Sequence, residues 1–213
     1  MTQALCLVMG VLLSVLSCRA QSHLGILGQG LASDLPGSAS ALPGRMNPRP
    51  SLGGGLWADV RLSDYIDFQP SLLLSPKGAQ FQQNYVRLSY LELPLLLMYR
   101  IPCGYDDFFL GGGVYGALGL QGTYRTVEDS LPGGASGEVN FGTPSRHFIP
   151  GTWFRPFDAG YTVSASYQWS FGFTLNLHFS RGFINTNPPG TGRMGNQALR
   201  LGVGYLFHYN TRD

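Results

Sequence analysis

A glycine motif is the first feature whose spacing could support chemistry. Gly111, Gly113 and Gly116 match the G-x-G-x-x-G pattern of dinucleotide-binding loops. Such a loop binds pyrophosphate where a strand ends and a helix begins, whereas Val114–Tyr124 continues the alternation of a strand. We therefore expect these glycines to allow tight packing or strong curvature, and no cofactor is predicted.

Titratable residues offer a second possibility. Glu92, Arg100 and Asp158 could form the acid/base cluster that a barrel esterase or acyltransferase needs, but no nucleophile motif accompanies them. Structural ion pairing is the simpler interpretation. His178 and His208 are predicted to face one interior, where hydrogen-bonded histidines are commoner than metal ligands. The sequence predicts no enzyme, no catalytic residue and no metal site, with a lipid-acting barrel enzyme as an alternative.

Composition limits the class of protein. Charged residues make up 12% of the 213 residues, against roughly 25% in ordinary soluble domains. The net charge is +2, and Lys77 is the single lysine beside 13 arginines. This balance provides no basic field for nucleic acid, so nucleic-acid binding is not expected. Water-facing surface is scarce, and one domain accounts for the length.

The N-terminus resembles an export signal. An apolar run spans Ala4–Leu16, which suits a signal-peptide core and is too short for a spanning helix of about 20 residues. Small residues at Cys18 and Ala20 predict cleavage before Gln21. The predicted division is a signal peptide at 1–20 and a barrel domain at 21–213.

A second processing route is open at the same place. Residues 15–18 resemble a lipobox, in which Cys18 would become a lipidated first residue. Cys6 also lies in the signal region, so ordinary cleavage leaves only Cys103. With one cysteine, neither an intramolecular disulfide nor a cysteine metal site can form.

The rest of the chain alternates between apolar and polar residues, which is the pattern of strands. In Phe171–Arg181 the apolar residues fall on one face and the small polar residues on the other, and eleven residues suffice to cross a bilayer as a tilted strand. Pro94 within one strand predicts a local bulge. Eight strands are predicted, at Ser22–Ala32, Ser51–Leu62, Tyr65–Ser75, Tyr85–Ile101, Phe108–Tyr124, Phe157–Trp169, Phe171–Arg181 and Leu199–Phe207.

The connections alternate in length, as in bacterial outer-membrane barrels, whose periplasmic turns are short and whose outer loops are long. Short links are expected near Ser63-Asp64, at Pro102–Asp107 and at Trp169-Ser170. Long loops are expected at Ser33–Pro50, Pro76–Asn84, Arg125–Pro156 and Ile184–Asn196. Their Gly, Pro, Ser and Asn content is typical of irregular coil, and no element is predicted within them.

The fold prediction is therefore all-β: an eight-stranded antiparallel up-and-down transmembrane barrel preceded by a cleavable signal peptide. A soluble ligand-binding barrel would direct its apolar face inward and carry charges outside. Here the polar face is sparse in charge and fits a packed lumen better. Aromatic residues near strand ends predict interfacial girdles, namely Tyr161, Tyr167, Trp169, Tyr205 and Tyr209.

Polar residues on the inward face are predicted to form a lumen cluster. An eight-stranded interior is just wide enough for side chains to fill, and both signs of charge occur on this face. Pairing between them offsets the cost of burial. The predicted cluster comprises Asp59, Arg61, Asp67, Gln69, Glu92, Arg100, Asp158, Asn176, His178 and Arg200.

Two stretches resemble a known family. Phe68–Ala79 and Tyr90–Arg100, the latter containing the run LELPLLLMYR, are similar to the third and fourth strands of the PorT-like outer-membrane β-barrel (porin-like) family of Bacteroidetes-type bacteria. The resemblance implies an outer-membrane location and a barrel fold. One branch of that family serves protein secretion, but the fold assigns no such role to this chain.

The last strand resembles the signal read by the barrel-assembly machinery. Its polar, glycine and aromatic positions are Arg200, Gly202, Tyr205 and Phe207, followed by a short tail. The expected function is a monomeric, non-enzymatic barrel in the bacterial outer membrane, contacting outer-membrane lipid, with a structural or interaction role through its outer loops and at most narrow solute passage. An envelope-assembly or secretion accessory barrel, and a soluble or lipidated periplasmic barrel with an apolar ligand, are the alternatives.

Overall fold

Eight long antiparallel strands form the protein in the computed structural model. The model describes residues 22–34, 37–39, 47–81, 84–126, 135–141, 153–185 and 192–207. The eight strands that the alternation predicted are all present. They are β1 (Ser22–Asp34), β2 (Asn47–Arg61), β3 (Ile66–Phe81), β4 (Asn84–Cys103), β5 (Asp106–Thr126), β6 (Phe157–Gln168), β7 (Phe173–Gly182) and β8 (Gln197–Leu206).

The sheet closes on itself. Each strand pairs antiparallel with the next strand in the chain, and β8 pairs with β1 from Gly25 opposite Leu206 to Asp34 opposite Gln197. Closure pairs the backbone groups that an open edge would leave free, as a hydrocarbon environment requires. The predicted up-and-down barrel is confirmed.

One end of the barrel carries the tight turns, and we name it the short-turn end. Residues 62–65 join β2 to β3, two residues join β4 to β5, and residues 169–172 join β6 to β7. Gly104 and Gly172 have φ angles of 75° and 91°, a conformation that glycine adopts without steric cost. The ends of the first and last strands also lie here, because Gly25 pairs with Leu206.

The opposite end, the loop end, differs from expectation at one connection. Pro76–Asn84 was predicted as a long loop, but β3 continues to Phe81 and β4 starts at Asn84. Gly78 pairs with Arg87 and Phe81 with Asn84, so the ladder runs to the tip of this hairpin. The Pro-Lys-Gly sequence resembles a turn, but pairing with β4 keeps it extended.

The described parts of the other long connections also contain strands, contrary to the expectation of irregular coil. Gly37–Ala39 pairs with Gly192–Met194. Within the β5–β6 connection, Ala135–Glu138 extends the sheet along β5, and Asn140–Phe141 pairs parallel with Trp153–Phe154.

The predicted bulge at Pro94 is wrong. Pro94 lies opposite Tyr115 of β5 in unbroken register. On the β3 side, Leu95 pairs with Pro70 and Glu92 pairs with Leu73, so the register is the same on both sides of Pro94. The ladder skips the two positions between these pairs. The two prolines lack the N–H groups that a ladder needs there. A gap in the pairing accommodates them without an inserted residue.

The two faces of the barrel wall are chemically opposite. Outward side chains are apolar and exposed, such as Leu177, Leu201 and Val163, whereas inward positions on the same strands carry Asn176, Arg200 and other buried polar groups. The alternative of a soluble barrel with an apolar interior does not fit this orientation.

Several predictions fall outside the described residues. These are the signal peptide at 1–20 with Cys18, and His208, Tyr209 and the tail that follows. No helix among the described residues is long and apolar enough to cross a membrane.

Candidate functional site

The predicted lumen cluster lies on the inward face of the barrel. Its side chains alternate with lipid-facing residues, so each strand contributes every second residue to the interior. Arg61 and His178 are half-buried. The other eight are buried, namely Asp59, Asp67, Gln69, Glu92, Arg100, Asp158, Asn176 and Arg200.

Glu92 is the centre of an ion-pair group near mid-barrel. Its Oε2 atom lies 2.6 Å from Arg200 Nη2 and accepts a hydrogen bond of 3.1 Å from Ser75 Oγ. Its Oε1 atom pairs with Lys77 Nζ. Arg200 also donates to Ser180 Oγ at 3.1 Å. One carboxylate therefore holds two cations that come from different strands.

Asp158 extends this group. Its Oδ2 atom accepts hydrogen bonds from Tyr115 at 3.0 Å and from Asn196 at 2.6 Å, and lies 3.7 Å from Lys77 Nζ. Lys77 also lies 4.9 Å from the centre of the Tyr115 ring, within cation–π range. Two buried cations thus face two buried carboxylates, and their charges balance.

Lys77 is an interior cation outside the predicted cluster. The sequence pattern predicted a long loop at this position, but Lys77 is buried in the lumen. The available signal was the alternation of β3, in which Asp67, Gln69 and Ser75 face inward at odd positions and Lys77 continues the series. The flanking proline and glycine obscured it by resembling a turn.

A second polar group lies toward the short-turn end. Arg100 pairs with Asp67, and its Nη1 atom donates to Asp107 Oδ2 at 3.1 Å. Asp59 lies 3.8 Å from the same guanidinium and accepts a hydrogen bond of 3.0 Å from Gln69. Three carboxylates surround one arginine, and a cavity of about 230 Å³ opens beside them to the short-turn end.

The hypothesised acid/base trio is not assembled. Glu92 and Asp158 share Lys77, whereas Arg100 contacts a different set of carboxylates. Eight residues of one strand separate Glu92 from Arg100, which corresponds to about 26 Å at 3.3 Å per residue. The geometry favours two structural ion-pair groups over one reaction centre.

The glycine motif lies within β5 and not at a strand–helix junction. A Cβ atom at Gly113 would collide with the backbone of Leu95, and one at Gly111 with the backbone of Leu97 and Met98. Gly116 has open space instead. The first two glycines permit the close approach of β4 and β5.

A small cavity lies between the polar groups of the described interior. A cavity of about 20 Å³ lies at mid-barrel among Trp57, Gln69, His178 and Arg200. That volume accommodates about one water molecule. Within the described residues, no group of three or more His, Cys, Asp or Glu side chains is arranged to hold a metal ion.

An apolar cluster, which we name the apolar cap, packs over the inward face of β4 and β5 toward the loop end. Val139 and Phe154 of the β5–β6 connection pack in one cluster with Leu88 and Tyr90 of β4. Phe141 adds an edge-to-face contact with the Tyr90 ring at 6.1 Å. Lys77 lies 5.4 Å from the centre of that same ring, so the cap rests directly on the mid-barrel ion pairs.

Aromatic side chains lie at both ends of the outer wall. At the short-turn end Trp169 contacts Tyr167 at 4.9 Å and Phe173 at 5.4 Å between ring centres. At the loop end Tyr161 stacks on Phe183 at 6.5 Å. Ten residues separate Phe173 from Phe183, about 25 Å along the membrane normal at the usual strand tilt, which equals the apolar band of such barrels.

The residues of the predicted assembly signal lie on both faces of β8 and at the position that follows it. Tyr205 and Phe207 point outward with their ring centres 5.7 Å apart, whereas Gly202 and Arg200 are buried inside. Of the predicted girdle residues, Tyr161 and Tyr205 are exposed on the outer wall.

Known structures with similar architecture are distant in sequence. Neisserial surface protein A has 10% identity and a TM-score of 0.49, with 86% of this chain and 97% of that chain covered. The attachment invasion locus protein Ail of Yersinia pestis has 12% identity and a TM-score of 0.46, covering 87% and 99%. OprG of Pseudomonas aeruginosa has 12% identity and a TM-score of 0.45, covering 89% and 97%.

No curated protein sequence matches the chain. Residues 18–187 match the family described as "Outer membrane protein beta-barrel domain". This match covers most of the chain and agrees with the closed eight-stranded wall, its apolar exterior and its aromatic bands. The chain belongs to this family of bacterial outer-membrane β-barrel proteins.

Proposed function

We propose that this barrel acts through the surface at its loop end and conducts no solute through its interior. The observation that supports the proposal is the polar filling of the lumen, in which Glu92 binds Lys77 and Arg200 across the barrel beside a cavity of about 20 Å³. A hydrated ion needs a continuous aqueous path. The apolar cap above the ion pairs adds a second obstruction on the same axis.

Conductance measurements test the closed interior. The full chain, refolded and inserted into a planar bilayer, is expected to give no discrete current steps at voltages where a porin in the same bilayer conducts. The porin is the control for bilayer quality. Discrete steps that scale with the number of inserted barrels would contradict the proposal.

Cysteine labelling tests which end is exposed to the medium. Short turns of outer-membrane barrels face the periplasm, so the exposed Cys103 at the short-turn end of β4 is expected to react with a bulky impermeant maleimide only after the outer membrane is opened. Arg155→Cys in a Cys103→Ser background, at an exposed position of the loop end, is expected to react in intact cells. Labelling of Cys103 in intact cells, with Arg155→Cys protected, would reverse the orientation.

The N-terminal segment and the last strand are proposed to direct export and assembly. We infer that residues 1–20 are removed as a signal peptide, that 21–213 form the mature monomer, and that the barrel-assembly machinery reads Arg200, Gly202, Tyr205 and Phe207. The mass of the mature protein distinguishes cleavage before Gln21 from lipidation at Cys18. Deletion of the aromatic pair is expected to reduce assembled, heat-modifiable barrel in the membrane fraction.

The resemblance to the PorT-like family belongs to the proposal as well. The resemblance rests on Phe68–Ala79, which lies in β3, and on Tyr90–Arg100, which lies in β4. We also propose that the protein is not an enzyme, since its buried carboxylates are held in ion pairs with basic side chains.

A further inference from the structure

A β-bulge changes which side chains of β5 point outward. Tyr90 pairs with Gly119 and Ser89 with Gln121, so Leu120 is an extra residue on β5. An extra residue reverses the alternation of the strand beyond it. Toward the membrane centre the outward residues are apolar and even-numbered, such as Leu110 and Val114.

Beyond the bulge the outward residues of β5 are polar. Gln121, Thr123 and Arg125 are exposed, whereas Gly122 is buried. On β4, which has no inserted residue, the outward series of Leu91, Leu93, Leu95 and Leu97 continues into Ser89 and Arg87. The wall therefore changes from apolar to polar at the level of the bulge.

The polar part of the wall contains a depression. Arg87, Gln121, Thr123 and Glu138 line a concavity of about 390 Å³ on the outward side of β4, β5 and the adjoining strand Ala135–Glu138. Thr123 pairs with Arg87 on one side and with Glu138 on the other, which brings all three to one level.

A second arginine lies beside the depression. Arg87 and Glu138 line it, and Arg125, which pairs with Tyr85, is a diagonal neighbour of Arg87 on the same face just outside the lining. Among the described residues neither guanidinium forms an ion pair within 4.0 Å. Counting the described residues that line or adjoin the depression, two arginines outnumber the carboxylate of Glu138, and this group lies directly above a lipid-facing wall.

We propose that this depression binds the phosphate-bearing headgroup of a lipid in the outer leaflet. When the acyl chains of a lipid lie against the outward leucines of β4, its headgroup lies at the level of Arg87. The reason is that Arg87 continues the same outward series of β4 beyond those leucines. Guanidinium groups pair with phosphate oxygens through two hydrogen bonds. The amide of Gln121 and the hydroxyl of Thr123 supply neutral hydrogen-bonding groups beside them.

Lipid binding to the full-length refolded barrel tests the inference. Lipid A carrying both phosphates and the same lipid after enzymatic removal of its phosphates are compared by native mass spectrometry and by thermal stabilisation in detergent. The phosphorylated lipid is expected to bind at least about tenfold more tightly, given two arginines near a headgroup. Arg87→Gln combined with Arg125→Gln is expected to abolish that difference.

Arg155→Gln is the matched control, because Arg155 is exposed near the same end but neither lines the depression nor neighbours Arg87 across the β4–β5 pair. It is expected to retain the preference for the phosphorylated lipid. Equal affinity of the wild-type barrel for both lipids would overturn the inference, as would an unchanged preference in the double variant. Full competition by inorganic phosphate at the lipid's own concentration would show an anion site without lipid recognition and would also overturn it.

The comparison of two lipids on the wild-type barrel does not depend on the folding of any variant. Thr123→Glu provides a further test, since it places a negative charge inside the depression without removing an arginine. It is expected to lower the affinity for the phosphorylated lipid and to leave the dephosphorylated lipid unaffected. The outcome is independent of the conductance experiment, because the depression lies on the outer wall.

Discussion

Glu92 and Arg200 form an ion pair across the full width of the barrel, with Glu92 Oε2 2.6 Å from Arg200 Nη2. Glu92 belongs to β4 and Arg200 to β8, which lie opposite each other in a cylinder of eight strands. Both side chains are buried. The pair therefore ties together two walls that share no backbone hydrogen bond.

Glu92→Gln tests this link. The substitution leaves Lys77 and Arg200 with one fewer buried carboxylate, and removing one partner of a buried pair typically costs about 3–5 kcal/mol. We expect a loss of this size in the free energy of unfolding, measured by urea titration of the barrel in lipid vesicles. Glu138→Gln, at an exposed position, should change it by less than about 0.5 kcal/mol. Equal losses in the two variants would contradict the role of the ion pair.

The sequence predicted Glu92 and Arg200 as interior residues but could not pair them. Alternation fixes the face of the sheet on which each side chain lies, and this was enough for Asp59, Asn176 and Arg200. It does not fix height, because the relative level of two distant strands depends on the stagger accumulated around the barrel.

The same limit explains what was missed at the loop end. The bulge at Leu120 depends on the register between β4 and β5. The order of apolar and polar residues in the sequence does not reveal that register. Val139 and Phe154 lie in a segment rich in turn residues. They are buried because they pack against residues of β4 and β5 that are distant in sequence. Tertiary contacts, and not local propensity, decide both features.

Leu177 and His178 are adjacent residues on opposite faces of β7. Leu177 faces lipid near the middle of the apolar band, whereas His178 lines the small interior cavity. Leu177→Arg is expected to cost about 2–4 kcal/mol of unfolding free energy, the usual cost of a cation near the bilayer midplane. His178→Gln should cost much less, since a polar group replaces a polar group. Similar losses for both, measured in the same vesicles, would count against the assignment of faces.

Gly113 and Gly116 differ in the space available for a side chain. Gly113→Ala places a Cβ atom against the backbone of Leu95, and forcing extra volume into a packed site typically costs about 1–3 kcal/mol. Gly116→Ala meets open space and is expected to be neutral. Urea midpoints of the two variants provide the measurement. A Gly113→Ala barrel as stable as the wild type would show that β4 and β5 can separate without cost.

Asp106 joins two turns at the short-turn end. Its carboxylate accepts a hydrogen bond of 2.9 Å from the Ser170 backbone N–H and another of 2.9 Å from the Tyr167 hydroxyl. These bonds, the Ser170 N–H foremost, favour the ionised carboxylate and lower the pKa of Asp106 below its usual value. A group whose pKa is lower in the folded state stabilises the fold above its unfolded pKa, and this contribution disappears as the pH falls through the folded pKa.

Asp106→Asn is therefore expected to lower stability at neutral pH and to have little effect at a pH below both pKa values, where the wild-type carboxyl is already protonated. Urea titrations of both proteins at the two pH values measure the difference. Asp64→Asn, at an exposed position in the neighbouring turn, is the control for loss of one surface charge. A stability difference between wild type and Asp106→Asn that stays constant across this pH range would exclude a role for the ionised carboxylate. The bond to Ser170 would then act through the shape of the turn alone.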